Sequence, residues 1–193
     1  MPGPDPRTER DAYLAESWRP RDEPVVPELR TPRLRLRAWT DADRAPFASL
    51  NADPEVMAYV PAPLSRGASN ALLSRIRAHA LRYGFGLWAL EADGRFAGFT
   101  GLQWSEVTGT RELEVGWRLA RWAWGHGYAT EAATAALAFG LGREPRVVSY
   151  TTLTNVRSQA VMARIGLQRV REFDHPAADM PDRLRRHVLY ASG

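Results

Sequence analysis

The residues with the most chemistry in their spacing are Trp124-Gly125-His126-Gly127-Tyr128-Ala129-Thr130. Two glycines one residue apart let the backbone approach a ligand with no Cβ in the way. The Ala-rich run Tyr128 to Leu141 follows at once and reads as a helix. A helix starts with unpaired N–H groups and the positive end of its dipole, so a Gly-rich turn feeding one suits a phosphate or pyrophosphate. A plain strand-to-helix turn would carry the same pattern. No Gly-Lys-Ser/Thr follows, so this is not a Walker-type loop. Thr130 also stands where a dinucleotide fingerprint needs its third glycine. Upstream, Glu112 and Glu114 sit two residues apart on an expected strand and share one face. A carboxylate so placed can accept a proton; two solvated strand-face charges would look the same.

These residues need a scaffold, and the patterning predicts one. Leu34 and Leu36 alternate with Arg33, Arg35 and Arg37, a strand with one wet face. Thr40 with Asp43 starts a helix that runs to about Ala52. Met57 to Gly67 holds two prolines and reads as a loop. Ser69 or Asn70 caps a second helix, which Gly84 and Gly86 end. The runs Phe85–Ala92 and Arg95–Trp104 meet at Asp93-Gly94, a hairpin signal because both central residues need positive φ. Further strands are expected over 111–119, 146–152, 167–173 and 186–190, with a helix over 155–165 that stops at Gly166. The order is β-α-α-β-β-β-α-β-α-β-β. The strand ahead of the glycine turn carries Trp117 and Leu119.

With this order, the chain resembles the GNAT superfamily of acetyl-CoA-dependent N-acetyltransferases. That superfamily's loop reads Gln/Arg-x-x-Gly-x-Gly/Ala, and Trp124 departs from its first position. The form Trp-Gly-x-Gly-Tyr-Ala-Thr-Glu-Ala is similar to the branch containing the ribosomal-protein N-terminal acetyltransferases. So are Leu29-Arg-Thr-Pro-Arg-Leu-Arg-Leu-Arg37 and Asn155-x-x-Ser158 with Ile165-Gly166-Leu167. The resemblance spans roughly residues 29–190. It implies an α/β (α+β) GNAT fold: a mixed, mostly antiparallel seven-stranded sheet with about four helices, split in a V between strands 4 and 5 by a bulge that splays the strand at 111–119 from that at 146–152. It implies acetyl-CoA as co-substrate, its pyrophosphate on the amides of Trp124, Gly125, His126, Gly127, Tyr128, Ala129 and Thr130. The pantetheine arm would lie along Trp117 to Leu119, whose N–H groups would meet the thioester oxygen. A primary amine, on a small molecule or a protein N-terminus, would attack the thioester directly. Glu114 is favoured as base, with Glu112 as second choice. Ser158 stands where many relatives have an acidic Tyr, and would protonate the leaving thiolate or merely bond its own backbone. Asn155 would contact the coenzyme arm, cap its helix, or both. Tyr59, Trp104 and Trp117 would line the acceptor channel. A non-catalytic acyl-CoA-binding module is the alternative reading.

Other residues read more plainly. Glu131, in the first turn of the phosphate-facing helix, suits the dipole. His126 lies on the loop, and His175 and His187 fall near the expected slot. Arg66, Arg75 and Arg82 would attract an acidic acceptor or keep their helix wet.

Composition sets the limits. The chain has 193 residues, 45% hydrophobic and 25% charged, as an ordinary globular domain does. It has no Cys, which excludes disulfides, thiolate metal sites and a cysteine nucleophile. No Lys occurs, so all 26 positive side chains are Arg. A net charge of +4 is too small to suggest a nucleic-acid binder. Four scattered His give no reason to expect a metal. No apolar run reaches the roughly 20 residues of a membrane span, and the polar N-terminus is no signal peptide. A cytoplasmic monomer or homodimer is expected. Residues 1–28 hold six of the 14 prolines and are expected to be an extension, in which Leu14 and Trp18 could share a helical face. Residues 29–193 form the expected acetyltransferase domain.

Overall fold

Leu34 and Leu36 are buried while Arg35 and Arg37 are not, the outcome of their alternation. A computed structural model describes residues 26–193 and places this segment in an eight-stranded sheet. The strands are β1 (Leu29–Arg30), β2 (Leu34–Arg37), β3 (Leu87–Ala92), β4 (Arg95–Ser105), β5 (Glu112–Leu119), β6 (Val147–Thr152), β7 (Gln168–Asp174) and β8 (Arg186–Ala191). Their order in space is β1-β2-β3-β4-β5-β6-β8-β7. All neighbours are antiparallel except β5 and β6. The helices are α1 (Arg44–Ala52), α2 (Arg66–Tyr83), α3 (Tyr128–Leu141), α4 (Val156–Arg164) and the single turn α5 (Asp182–Arg185).

The sheet has eight strands rather than seven, and five helices rather than about four. The added strand, β1, is two residues that pair across the Thr31-Pro32-Arg33 turn, Leu29 with Leu36 and Arg30 with Arg35. So short a strand leaves no periodicity to read. Helix α2 begins at Arg66, not after Ser69 or Asn70, because Ser65 Oγ accepts the Ala68 N–H at 3.2 Å. Asp93 and Gly94 both take positive φ, 50° and 71°, as the hairpin requires. The expected helix around Leu14 and Trp18 lies outside the described residues.

Each sheet face has its own core. On one, α3 packs over Leu90, Leu102, Leu113 and Val115, beside the fully buried Trp88. Fully burying such a side chain contributes about 2–3 kcal/mol. On the other, α1 and α2 enclose Phe47, Leu50, Leu73, Ile76 and Phe99. Alternation on β5 sends Leu113, Val115, Trp117 and Leu119 toward α3, and Glu112, Glu114, Gly116 and Arg118 toward the opposite face. No described helix is long and apolar enough to cross a membrane.

Candidate active site

Strands β5 and β6 pair only at Leu113 with Val147 and Glu114 with Val148. Beyond Glu114 they part, which leaves one backbone edge of β5 open from Val115 to Leu119. The expected bulge does not interrupt the ladder: β4 and β5 stay in register from Gly98–Leu119 to Ser105–Glu112. Divergence after two rungs makes the V. Since β5 and β6 run parallel, the segments that leave their carboxyl ends meet at one mouth. From β5 comes the glycine turn, and from β6 the start of α4.

The turn is held by side chains so that its amides stay free. Trp124 Nε1 donates to the Leu119 carbonyl at 2.9 Å, which ties the turn to the end of β5. Gly125 and Gly127 take φ of 80° and 79°, a region costly to other residues. The first bond of α3 runs from Glu131 N–H to Gly127 O at 3.1 Å. The amides of Tyr128, Ala129 and Thr130 are therefore left without a helical acceptor. Those of Gly125, His126 and Gly127 have no acceptor among the described residues, whereas the Trp124 N–H, expected to join them, is spent on the Arg121 carbonyl at 3.1 Å, which closes a tight turn at the end of β5. Arg157, on the first turn of α4, stands over the Trp124 ring at 5.1 Å and adds positive charge beside these amides. Such a cradle fits a pyrophosphate.

A second tie comes from 98 residues away. Glu131 accepts from Thr31 Oγ1 (2.5 Å), Arg33 N–H (3.0 Å) and Arg33 Nε (2.7 Å). Arg33 Nη1 then donates to the His126 carbonyl at 2.9 Å. Burial would raise the Glu131 carboxyl, but Thr31 and Arg33 outweigh it and hold it below its usual range. Glu131 is thus a latch between the β1–β2 turn and the glycine turn, and not only a dipole partner. Glu131→Ala should cost about 1–2 kcal/mol, discounted because Arg33 is half exposed. It should also weaken coenzyme binding, read by thermal denaturation and by titration with CoA.

Glu114 lies at the point where the strands part, only 7% exposed. Gln103 Nε2 donates to its Oε2 at 3.0 Å. The hydroxyls of Tyr150 and Ser105 lie beside it, 3.2 Å from each other, and favour its charged form. Burial pushes the Glu114 carboxyl up to about 7 against Gln103 and these hydroxyls. It can therefore exchange a proton near neutral pH. Glu112 is engaged elsewhere, with Arg146 Nε at 3.0 Å and Thr108 Oγ1 at 2.5 Å.

Past Glu114 the wall of the split is aromatic. His187 lies 6.1 Å from Tyr150 and 4.9 Å from His175, ring to ring. Burial lowers the pKa of both imidazoles. His187 Nδ1 is 3.1 Å from the Arg185 carbonyl and so donates to it. Tyr59 is exposed on the loop after α1, which Arg183 ties to α5 through the Ala58 carbonyl at 3.2 Å. A cavity of about 200 Å³ opens between α2 and the sheet, with Arg75, His79 and Gln103 in its walls. Trp104 edges this cavity beneath Arg111, 4.2 Å away. Trp117 packs with the core on the α3 side, not on the face of Glu114.

At the start of α4, Asn155 Oδ1 accepts the Ser158 N–H at 3.2 Å. Its Nδ2 donates to Thr151 Oγ1 (2.9 Å) and Ser158 Oγ (3.0 Å). Both donors of the amide are spent inside the protein, so Asn155 orients Ser158. The Ser158 hydroxyl accepts one bond and keeps its own proton to give. Sequence reasoning missed Tyr150, Gln103, Arg33 and Arg157. None carries a local signal, because each acts through a partner distant in the chain.

Residues 33–168 match the family model described as Acetyltransferase (GNAT) domain. The chain belongs to the GNAT acetyltransferases. YkkB, an uncharacterized protein of Bacillus subtilis, is 30% identical over 159 residues, covering 78% of this chain and 92% of that protein. FsC-acetyl coenzyme A-N(2)-transacetylase of Aspergillus fumigatus is 32% identical over 159 residues, with 76% and 67% covered. The crystal structure of an acetyltransferase from Agrobacterium tumefaciens superposes with a TM-score of 0.72 at 27% identity, covering 88% of this chain and 95% of that one. The split sheet is thus that of a GNAT acetyltransferase. Acetyl-CoA is the co-substrate of that family.

Proposed function

We propose that this GNAT domain transfers the acetyl group of acetyl-CoA to a primary amine by direct attack within a ternary complex. The observation that carries the reading is Glu114: a buried carboxylate titrating near 7 at the point where β5 leaves β6. The name of the similar Aspergillus fumigatus protein supports transfer to nitrogen. The amides from Gly125 to Thr130 hold the pyrophosphate, and the open edge of β5 from Trp117 to Leu119 pairs with the pantetheine arm much as an added strand would. Backbone N–H on that edge meets the thioester oxygen as negative charge develops there.

Glu114 takes the proton that the ammonium must lose. The amine lone pair then attacks the thioester carbon; the C–N bond forms, the nitrogen gives its second proton to water, the C–S bond breaks and the thiolate leaves. Ser158 Oγ–H gives the thiolate its proton and is reprotonated from solvent. Asn155 positions Ser158, and Tyr59 contributes to the acceptor wall. The acceptor is a small amine or a protein N-terminus, the latter including the ribosomal-protein substrates of the branch this sequence resembles.

The test is incubation with acetyl-CoA and a mixed set of peptides and small amines, read by free thiol and by mass spectrometry of the acceptors. Thiol release with acetylation of at least one amine is expected. Tight CoA binding with no release for any acceptor would overturn transfer in favour of an acyl-CoA-binding module. Ser158→Ala should lower kcat about tenfold and leave acetyl-CoA affinity within about twofold. An unaltered kcat would remove Ser158 from the reaction.

A further inference from the structure

We propose that the acceptor carries a carboxylate one or two carbons from its amine, and that Arg118 of β5 binds this carboxylate. The proposal rests on the transferase reading and names the substrate class of the same site.

Glu114, Gly116 and Arg118 follow one another along one face of β5. A methyl group at Gly116 would meet a single neighbour within 4 Å, Glu114 Oε1 at 3.7 Å. That oxygen is not the one held by Gln103, which bonds Oε2. So there is room above Gly116, and Glu114 Oε1 borders it. Arg118 borders the other side. Its Nη1 donates to Asn51 Oδ1 at 2.6 Å, and its guanidinium lies 5.4 Å from the Phe99 ring. Asn51 is fully buried and is fixed in turn, donating to Ser69 Oγ at 2.9 Å. No carboxylate of the described residues pairs with Arg118. Burial pushes its pKa down to about 10, so it remains a cation at neutral pH.

A half-buried cation without a counter-charge is costly to keep. Here it is also oriented, by a buried amide and an aromatic ring, as side chains that grip ligands are. A guanidinium with donors to spare pairs best with a planar carboxylate. Successive same-face positions on a strand are roughly 7 Å apart. An α- or β-amino acid, together with a hydrogen bond of about 3 Å to the guanidinium, bridges that gap with its amine over Gly116, toward Glu114, and its carboxylate on Arg118. An amine inside a peptide chain lacks the second charge, since its own carboxyl is an amide.

The test compares amino acids with their matched α-amides, titrated calorimetrically into the whole protein saturated with CoA. Free acids should bind at least about tenfold more tightly than the amides, as expected when a charged hydrogen-bonded pair is lost. Arg118→Met should bring acid and amide within about twofold, and Arg118→Lys should restore part of the preference. Equal binding of acid and amide by the parent protein overturns the proposal and needs no variant; a preference that survives Arg118→Met overturns it too. Thiol release in parallel samples that hold acetyl-CoA in place of CoA separates the two claims. Acids preferred in binding but never acetylated would leave the carboxylate site standing and overturn transfer. Acids and amides bound and acetylated alike would overturn the carboxylate site and leave transfer standing.

Discussion

Glu114→Gln should lower kcat by about 100- to 10,000-fold, the range for removing a general base, while acetyl-CoA affinity stays close to that of the parent. The amide keeps the shape and can still meet Gln103, so lost turnover reports lost basicity. In the parent protein, kcat/KM should rise with pH below about 7 and level off above it, because Glu114 must be ionised to accept a proton. In Glu114→Gln that inflection should vanish. A profile that keeps its inflection near 7 in the variant would assign the base elsewhere. Stability gives an independent reading with its own sign. The folded pKa of Glu114 lies above its ordinary value of 4.5, so the folded state binds the proton more tightly than the unfolded chain does. The stability this gives is fully present below pH 4.5 and is lost as pH rises through about 7. The penalty at high pH is roughly 3 kcal/mol. Glu114→Gln should therefore match the parent at pH 4 and melt at a higher temperature at pH 8, as read by thermal denaturation at both.

Gly127→Trp should weaken CoA binding by about 100-fold or more, the scale of losing two charge-assisted hydrogen bonds. The indole would crowd the glycine turn, the proposed pyrophosphate cradle, where a Cβ already has Arg33 Nη2 at 3.5 Å. The substitution also places a side chain at φ of 79°, a backbone cost of about 1–2 kcal/mol. Gly127→Ala shares that cost without the bulk. Titration with CoA should rank parent, alanine and tryptophan in order of falling affinity, with both variants still folding cooperatively. A tryptophan variant that binds as the parent does would remove the glycine turn from the coenzyme site.

What the sequence made legible is what a few adjacent residues decide. Asp93-Gly94 marked its turn because both residues must take positive φ. The glycine turn and Ala-rich helix were legible for the same local reason, and Glu112 and Glu114 fell on one face by alternation alone. The residues that separate these two carboxylates were not legible. Arg146 and Thr108 engage Glu112, while Gln103, Ser105 and Tyr150 surround Glu114, and only the fold brings strands β4, β5 and β6 to one point. The Arg33–Glu131 latch joins two motifs that each looked self-sufficient. Strand β1 escaped notice because two residues form it solely by pairing with β2. The cap of α2 fell to Ser65, ahead of the residues with the stronger-looking signal, because Ser and Asn recur through that stretch and only backbone geometry chooses among them.

The two-rung junction between β5 and β6 has a mechanical consequence. The sheet behaves as two leaves, β1 to β5 and β6 to β8, joined like covers along a narrow spine. Any widening between the leaves pivots about the Leu113 and Glu114 rungs, where displacement is smallest. Glu114, the proposed proton acceptor, thus sits at the fulcrum. A change in the angle between the leaves would move its carboxylate less than any side chain farther along the split.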